Sequence, residues 1–413
     1  MTAKTRNDFL ALDASDPLAA FRDEFVLPEG IIYLNGNSLG AMPRAAAARA
    51  RQVVEHEWAE GLIGSMNTAG WFELPSTLGR KIAPLIGAKP NEVVLTDAVG
   101  INLYKVVAAA LQIRPERRVI VMEGSNFPTN NYTVQGLIQS LGQGHTIRFA
   151  EKDDIAGAID DDVAVVCITH VHYKTGHIHD MAAITAKAHA VGAATVWDLC
   201  HSIGAMPVDL NACQADFAVA CTYKYVNAGP GAPSMLFAAE RHHGKVTQPL
   251  TGWYSHADPF AFERDYRPMQ DIRQMLSGTQ PTVSLSIAEI GIDMLLRADM
   301  NQIRAKSMQM TGLFIALLED RCRGYGFELI SPRDATLRGS QVAFHNDDGY
   351  SIVRALHDHG VICDFRAPGK TRFGFAPLYI RYVDVWDAVD RLHSILANDT
   401  WKEPKYRVRA TVT

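Results

Sequence analysis

Residues 163–169 form a run that is apolar up to its final threonine, with the sequence Val-Ala-Val-Val-Cys-Ile-Thr. A strand without a polar face is typical of a parallel sheet that helices cover on both sides. Further short apolar runs end at Thr96, Met122, Asp198, Cys221 and Ala238, and helical patterns cover 43–60, 102–111, 131–141, 180–191, 283–297 and 302–321. This alternation predicts an α/β fold with a mostly parallel sheet. Ligands of such sheets bind where the strands end, and Thr96, Glu123, Thr169, Asp198 and Lys224 are predicted there.

The chain has 413 residues, which is too long for one simple core. We expect an N-terminal segment over 1–44 that packs with the small domain. A large domain over 45–290 is expected to carry the functional site, and a smaller α/β domain is expected over 291–413.

The composition argues against several classes of partner. Hydrophobic residues make up 47% of the chain and charged residues 21%, as in an ordinary soluble enzyme. A net charge of −5 and a pI near 6.3 give no sign of a nucleic-acid or membrane-surface partner. No apolar run is long enough for a membrane span, and the first residues do not suggest a secretory signal. The six cysteines show no CxxC spacing, which favours reduced thiols in a cytoplasmic protein.

Lys224 is the most informative candidate for chemistry. It follows the apolar run 217–221 and precedes the Gly-Pro-Gly sequence 229–231. Burial removes water from a lysine ammonium, which favours the neutral amine needed for covalent catalysis. Asp198 ends another apolar run, and an acid and a lysine on neighbouring strand ends suit pyridoxal phosphate. The alternatives without a role in catalysis are a surface lysine in a turn and an aspartate that caps a helix.

Other candidates are weaker on their own. Phe127 follows a strand and could stack on a cofactor ring, or it could be an ordinary loop phenylalanine. His201 could lie beside the cofactor or be structural. Residues 96–100 open a helix, whose first N–H groups can bind phosphate. Arg372 lies between apolar residues, where it could hold a substrate carboxylate or form a structural ion pair.

Four histidines alternate with other residues over 170–179, a pattern that invites a zinc hypothesis. Lys174 lies among them, and no cysteine pair or second histidine motif accompanies them. We therefore expect no metal site.

On the basis of these residues and the motifs below, the chain resembles the kynureninase family, whose members are fold-type I pyridoxal-phosphate hydrolases. The resemblance covers nearly the whole chain. Its motifs are 33–40 (YLNGNSLG), 125–129 (SNFPT), 170–176 (HVHYKTG), 197–202 (WDLCHS), 221–225 (CTYKY), 229–231 (GPG), 252–253 (GW), 278–281 (GTQP) and 372–379 (RFGFAPLY).

The resemblance implies roles for individual residues. Lys224 would carry pyridoxal 5'-phosphate and move the substrate proton, and Asp198 would pair with the ring nitrogen. Tyr223 would contact the phosphate of the cofactor and be a proton donor. Further cofactor contacts are implied for Ala98, Val99, Phe127, Pro128, Thr129, Asn130, Thr169, His201, Trp253 and Thr279. Trp253 and Thr279 would come from the other subunit of a homodimer. Substrate contacts are implied for Arg372, Asn37, Ser38, Met66 and His172.

The resemblance also implies a reaction. It is the hydrolytic cleavage of the Cβ–Cγ bond of L-kynurenine to anthranilate and L-alanine, a step of tryptophan catabolism. The chain departs from the family pattern at several positions. The family has hydroxyl residues at Ala98 and Val99, aspartate at Asn130, asparagine at His172, glycine at Ser255 and tryptophan at Met66. A 3-hydroxy or otherwise substituted kynurenine, or another γ-keto amino acid, is therefore an alternative substrate.

Other functional classes make different demands on the sequence. An aminotransferase or a cysteine desulfurase would share the fold, and a desulfurase needs a reactive cysteine, for which Cys363 is the late candidate. A pyridoxal-sensing regulator needs a DNA-binding module, and no basic patch is evident. A metal hydrolase would depend on the histidines of 170–179.

Overall fold

The computed structural model describes residues 5–409. Its helices are α1 (Arg6–Ala14), α2 (Arg44–Arg51), α3 (Ser65–Thr68), α4 (Leu74–Ile82), α5 (Val99–Ala110), α6 (Pro128–Leu141), α7 (Met181–Ala190), α8 (Thr282–Arg297), α9 (Met300–Arg321), α10 (Gly349–Asp358) and α11 (Tyr382–Ala397). A π-helical stretch, Gln52–Trp58, continues α2.

The strands are β1 (Phe25–Val26), β2 (Ile32–Tyr33), β3 (Met42–Pro43), β4 (Val93–Thr96), β5 (Val119–Glu123), β6 (Thr146–Ala150), β7 (Val163–Thr169), β8 (Ala194–Asp198), β9 (Phe217–Ala220), β10 (Ser234–Ala238), β11 (Glu328–Leu329), β12 (Gln341–His345), β13 (Val361–Ile362), β14 (Asp364–Arg366) and β15 (Lys370–Gly374).

The central sheet has seven strands in the order β4-β10-β9-β8-β7-β5-β6. β10 runs antiparallel to both of its neighbours, and the other pairs are parallel. The predicted α/β fold with a mostly parallel sheet is confirmed. Because β10 reverses direction, β4 and β9 point the same way, so the ends of β4, β5, β7, β8 and β9 share one edge.

The apolar runs explain why this sheet is the core. Every residue of β4, β7, β8, β9 and β10 is buried, as expected for strands covered on both faces. Helix α7 begins where predicted because the Asp180 side chain accepts from the Ala183 N–H at 2.9 Å. The predictions for α5 and α6 began three residues too late, and the predicted strand 217–221 was one residue too long.

The sequence patterns did not identify β6. This strand lies at the sheet edge, parallel to β5, and Phe149 in it is 49% exposed. Because an edge strand covers little core, its sequence alternates and lacks the uniform apolar pattern of β7.

The C-terminal part of the chain carries a second, antiparallel sheet with the order β11-β12-β15-β14. N-terminal residues pack against this part. β2 pairs in parallel with β13, and the ring centroids of Phe9 and Trp386 lie 5.6 Å apart. Division of the chain at residues 44 and 290 stays a prediction. Within residues 5–409, no helix is both long and apolar enough to cross a bilayer.

Candidate active site

The polar residues predicted at the strand ends lie along one edge of the sheet, and three of them, Thr169, Asp198 and Lys224, line a cavity of about 350 Å³. β4, β5, β7 and β8 end at Thr96, Glu123, Thr169 and Asp198, and Lys224 lies four residues beyond β9. The cavity is lined by most of the predicted site residues, namely Asn37, Ser38, Ala98, Val99, Phe127, Thr129, Asn130, Thr169, Asp198, His201, Tyr223, Lys224 and Arg372.

Lys224 is held by a tight turn between β9 and β10. Its carbonyl accepts from the Asn227 N–H at 3.0 Å, and Asn227 adopts a positive φ of 57°. Gly40, from the N-terminal segment, donates its N–H to the Tyr223 carbonyl at 2.7 Å. A Cβ atom at position 40 would lie 2.3 Å from the Lys224 carbonyl oxygen, so this close approach requires glycine. The N-terminal motif therefore supports the backbone of Lys224.

The Lys224 side chain points to His201. Its Nζ atom lies 2.9 Å from Nε2 of His201, which is 5% exposed. Burial, and secondarily the charge of Lys224, lowers the pKa of His201 well below its ordinary value. The imidazole is therefore neutral, and its Nε2 can accept a hydrogen bond from the lysine amine.

Asp198 is buried and held at both oxygens. Oδ1 accepts from the Cys200 N–H at 2.8 Å, and Oδ2 accepts from Nδ2 of Asn130 at 2.7 Å. The carboxylate is 6% exposed and faces the same cavity as Lys224. This arrangement fixes the orientation of the carboxylate in the cavity wall.

The start of α5 forms the far wall of the cavity. Its N-cap residue, Ala98, offers no side-chain cap, so the first N–H groups of the helix remain available to an anion. Asp97, just before it, has a positive φ of 43° and pairs with the fully buried amine of Lys105 at 2.6 Å. Thr96 donates its hydroxyl to Gln280 at 2.8 Å. These bonds hold the turn that presents the N–H groups.

Phe127 covers one side of the cavity and is 46% exposed. The rings of Phe127 and Tyr173 pack edge to face, with centroids 5.2 Å apart and an interplanar angle of 89°. Tyr173 thus fixes the ring expected to stack on the cofactor.

Arg372 forms a buried ion pair with Asp364, which is the structural role considered for it above. Its Nε donates to Oδ1 of Asp364 at 2.7 Å, and a second nitrogen lies 3.2 Å from Oγ of Ser38. A second guanidinium, that of Arg366, lies 3.0 Å from Oδ2 of Asp364 and is more exposed, at 35% against 2% for Arg372. Two cations on one carboxylate leave net positive charge beside the cavity.

Tyr223 lines the cavity as predicted. Burial raises the pKa of its phenol far above the ordinary value, with the neighbouring Cys221 and Cys200 adding to the effect. The phenol therefore keeps its proton at neutral pH and can donate a hydrogen bond.

Two of the four alternating histidines, His172 and His179, form side-chain hydrogen bonds within the protein. Nε2 of His179 lies 3.2 Å from Glu123, and Nε2 of His172 lies 3.0 Å from the Ser125 carbonyl. Burial lowers the pKa of His170 and of His177 to about 4. No cluster of three or more potential metal ligands occurs in the part of the chain from 5 to 409.

Five predicted site residues do not line this cavity. Met66, Pro128 and His172 lie outside it, and Trp253 and Thr279 are exposed elsewhere. Trp253 packs on Tyr254, with ring centroids 4.4 Å apart, and is 36% exposed. Their predicted roles stay predictions.

Sequence reasoning missed several residues of the cavity wall, namely Gly100, Asn126, Tyr173, Cys200, Gly231, Ala232, Ser234 and Arg366. Tyr173 and Cys200 lie inside motifs already singled out, so their positions were a usable signal. Arg366 is brought there by the pairing of β14 with β15.

Cys363 was the candidate for a desulfurase cysteine. It is fully buried, and burial raises the pKa of its thiol well above the ordinary value. A reactive cysteine needs access and a lowered pKa, so Cys363 does not support that alternative.

The cavity suits pyridoxal phosphate. It combines an amine, a fixed carboxylate, a helix start without a side-chain cap and an aromatic wall. Three buried polar atoms in its wall have no hydrogen-bond partner within residues 5–409: Oδ1 of Asn37, Nδ2 of Asn126 and Nδ1 of His201. A polar ligand would satisfy such atoms.

Known structures show the same fold. The chain is similar to a cysteine desulfurase from Thermococcus onnurineus, with a TM-score of 0.76 and 20% identity over 92% of this chain and 98% of that one. It is also similar to C-DES with glycine covalently linked to its PLP cofactor, with a TM-score of 0.77 and 16% identity over 90% of this chain and 98% of that one.

Curated proteins show a much closer similarity in sequence. A kynureninase from Burkholderia mallei is 51% identical over 99% of this chain and its own full length. A kynureninase from Pseudomonas fluorescens is 50% identical over the same shares. Residues 303–392 match the family model of the kynureninase C-terminal domain. The chain belongs to the kynureninase family.

Proposed function

We propose that this protein is a pyridoxal-phosphate-dependent hydrolase that cleaves L-kynurenine to anthranilate and L-alanine. The observation that carries the proposal is the convergence of the Lys224 amine and the Asp198 carboxylate on one cavity, in a chain 51% identical to a kynureninase. The relatives share the full length of the chain, so the comparison covers every element that borders the cavity.

Pyridoxal phosphate, when bound, supplies an electron sink that makes bonds at the substrate's α- and β-carbons labile. Lys224 would hold its aldehyde, and Asp198 would hold the ring nitrogen protonated. The N–H groups at the start of α5 would bind the phosphate, because Ala98 and Val99 offer no hydroxyl group.

Lys224 is the group that moves the substrate proton. Its Nζ would take the proton from Cα of the substrate. The neutral imidazole of His201, 2.9 Å away, accepts a hydrogen bond from this nitrogen. Such a bond orients the amine while leaving its lone pair free for the proton transfer.

The arginines would bind the α-carboxylate of the substrate. Arg372 is buried and tied to Asp364, which fixes its direction, and Arg366 adds a second cation beside it. Tyr223 keeps its phenolic proton, because burial raises its pKa. That proton is available for a hydrogen bond to the phosphate.

Anthranilate fluorescence after addition of L-kynurenine to the holoenzyme tests the proposal. Wild type should release anthranilate, and Lys224→Ala should release none while keeping its fold. Lys174→Ala is the matched control, because Lys174 does not line the cavity. A pyridoxal-loaded wild type that is inactive on kynurenine and active on 3-hydroxykynurenine would favour the alternative substrate.

A homodimer with shared active sites is part of this proposal. Trp253 is 36% exposed, and Phe260 and Phe262 beside it are 62% and 83% exposed, which is an apolar surface suited to a second copy. Trp253 and Thr279 would then reach the phosphate of the partner's cofactor. Mixing Lys224→Ala subunits with Trp253→Ala subunits tests this arrangement, because a hybrid dimer would regain one intact site. A mixture no more active than its components would contradict it.

A further inference from the structure

Asn130 forms a short side-chain hydrogen bond to Asp198. It lies in the first turn of α6 and is 2% exposed, and its Nδ2 donates to Oδ2 of Asp198 at 2.7 Å. The other carboxylate oxygen is held by the Cys200 N–H at 2.8 Å. Two donors from two different elements therefore define the plane of one carboxylate.

The chemistry of the pair fixes its orientation. An ionised carboxylate offers only acceptors, so the amide must present its NH₂ group to Asp198. Aspartate, the residue that the family resemblance gives at position 130, cannot make this bond when ionised. Two carboxylates at this distance would repel each other or share a proton. The substitution to asparagine therefore adds a donor and removes a charge.

We propose that Asn130 is a positioning residue that aims Asp198 at the ring nitrogen of pyridoxal phosphate without placing a second anion beside it. The inference rests on the proposed function for the identity of the cofactor. Nδ2 uses one lone pair of Oδ2 and leaves the carboxylate free to accept from a ring N–H as well. Without the amide, the carboxylate could rotate about its bond to Cβ.

Other titratable groups surround Asp198 and are common to every variant of position 130. Cys167, Cys200, Cys221 and Tyr223 interact with it electrostatically, and Lys224 and His201 line the same cavity. Burial raises the pKa of Cys167 and of Tyr223, so both stay neutral near pH 7. Differences between the variants therefore report on position 130 itself.

A cofactor analogue provides a test that does not depend on turnover. In this analogue of pyridoxal phosphate, a C–H group replaces the ring nitrogen. The analogue therefore lacks the atom that Asp198 would bind. The ratio of the two dissociation constants, for the analogue and for pyridoxal phosphate, measures recognition of the ring nitrogen alone. Loss of fold or of general affinity lowers both affinities and leaves this ratio unchanged.

Asn130→Ala should lower the ratio about tenfold, which is the change in affinity expected when one hydrogen bond to a charged group is lost. Asn130→Asp is close to isosteric but removes the amide donor and brings a second carboxylate against Asp198, so it should also lower the ratio. Asn131→Ala and Asn131→Asp are the matched controls, because Asn131 lies next in α6 and bonds to the Gly124 carbonyl instead. Both controls should keep the wild-type ratio.

An unchanged ratio in Asn130→Ala would overturn the positioning role, and so would equal shifts in Asn130→Asp and Asn131→Asp. Failure of the proposed function has a different signature. A wild type that binds pyridoxal phosphate with a high ratio but does not cleave kynurenine would refute the substrate and leave the role of Asn130 intact.

Discussion

The amine of Lys224 lies 2.9 Å from Nε2 of His201, and burial keeps that imidazole neutral. A charged imidazole there would repel the ammonium form of the lysine and could not accept its hydrogen bond. The neutral ring instead accepts a hydrogen bond from the amine and holds it in place. The orientation of the Lys224 side chain therefore depends on the burial of His201, which keeps the imidazole neutral.

His201→Leu should lower kcat at least tenfold, because the Lys224 amine loses its acceptor and its fixed direction. His201→Gln keeps a side-chain acceptor of similar reach and should retain more activity than His201→Leu. Steady-state kinetics on L-kynurenine with both variants provides the measurement. Equal losses in the two variants would show that ring packing matters and the acceptor does not.

Lys105→Met should destabilise the protein by about 2 kcal/mol, because it leaves Asp97 without its partner in a partly buried turn. The unpaired negative charge should also weaken phosphate binding at the start of α5. Chemical denaturation and cofactor titration measure the two effects. The double variant with Asp97→Asn should recover most of both losses, and no recovery would mean that the lysine acts independently of Asp97.

Arg366→Gln should raise KM for kynurenine about tenfold with kcat within about twofold of wild type, because the exposed cation contributes to binding. Arg372→Gln should lower both stability and kcat, since it breaks a buried pair with Asp364. Comparing kinetics and melting temperatures of the two variants separates these roles. If Arg366→Gln leaves KM unchanged, the arginine does not contact the substrate.

The free energy of unfolding should fall as the pH drops from about 6.5 to 4. Burial lowers the pKa of His170 to about 4, so the unfolded chain binds more protons than the folded one within this window. His170→Phe keeps a ring against Trp197 and removes this titration. The variant should recover about 3 kcal/mol of the loss at pH 4.

Urea unfolding at a series of pH values measures this slope. His56→Phe is the control, because the His56 side chain is 52% exposed. A slope in His170→Phe equal to that of wild type would assign the acid sensitivity to other groups, among them His177, whose pKa burial also lowers to about 4.

The central sheet was largely predictable from the sequence because its strands are buried on both faces. β4, β7, β8 and β10 have the predicted bounds, since uniform burial demands uniformly apolar residues. β6 was not predicted because an edge strand does not require a uniformly apolar sequence. The start of α5 was placed too late because Val99, Gly100 and Ile101 do not signal a helix on their own.

The cavity was predictable as a set of strand ends, but its finer contacts were not. Asn130 signalled only the loss of a charge, whereas the structure shows a hydrogen bond to Asp198 that depends on how α6 packs beside β8. Arg366 reaches the cavity through the pairing of two strands, and Asp364 shares its charge between two arginines. Such relations depend on tertiary distances, which spacing along the chain does not specify.

The phosphate cradle proposed at the start of α5 has an evolutionary consequence. Because its donors are main-chain N–H groups, exchanges among small apolar residues at positions 98 and 99 leave them in place, whereas proline there would delete one. Such exchanges at these two positions therefore carry little information about cofactor affinity. Selection on this part of the protein should act instead on the shape of the turn, through Asp97 and the buried lysine behind it.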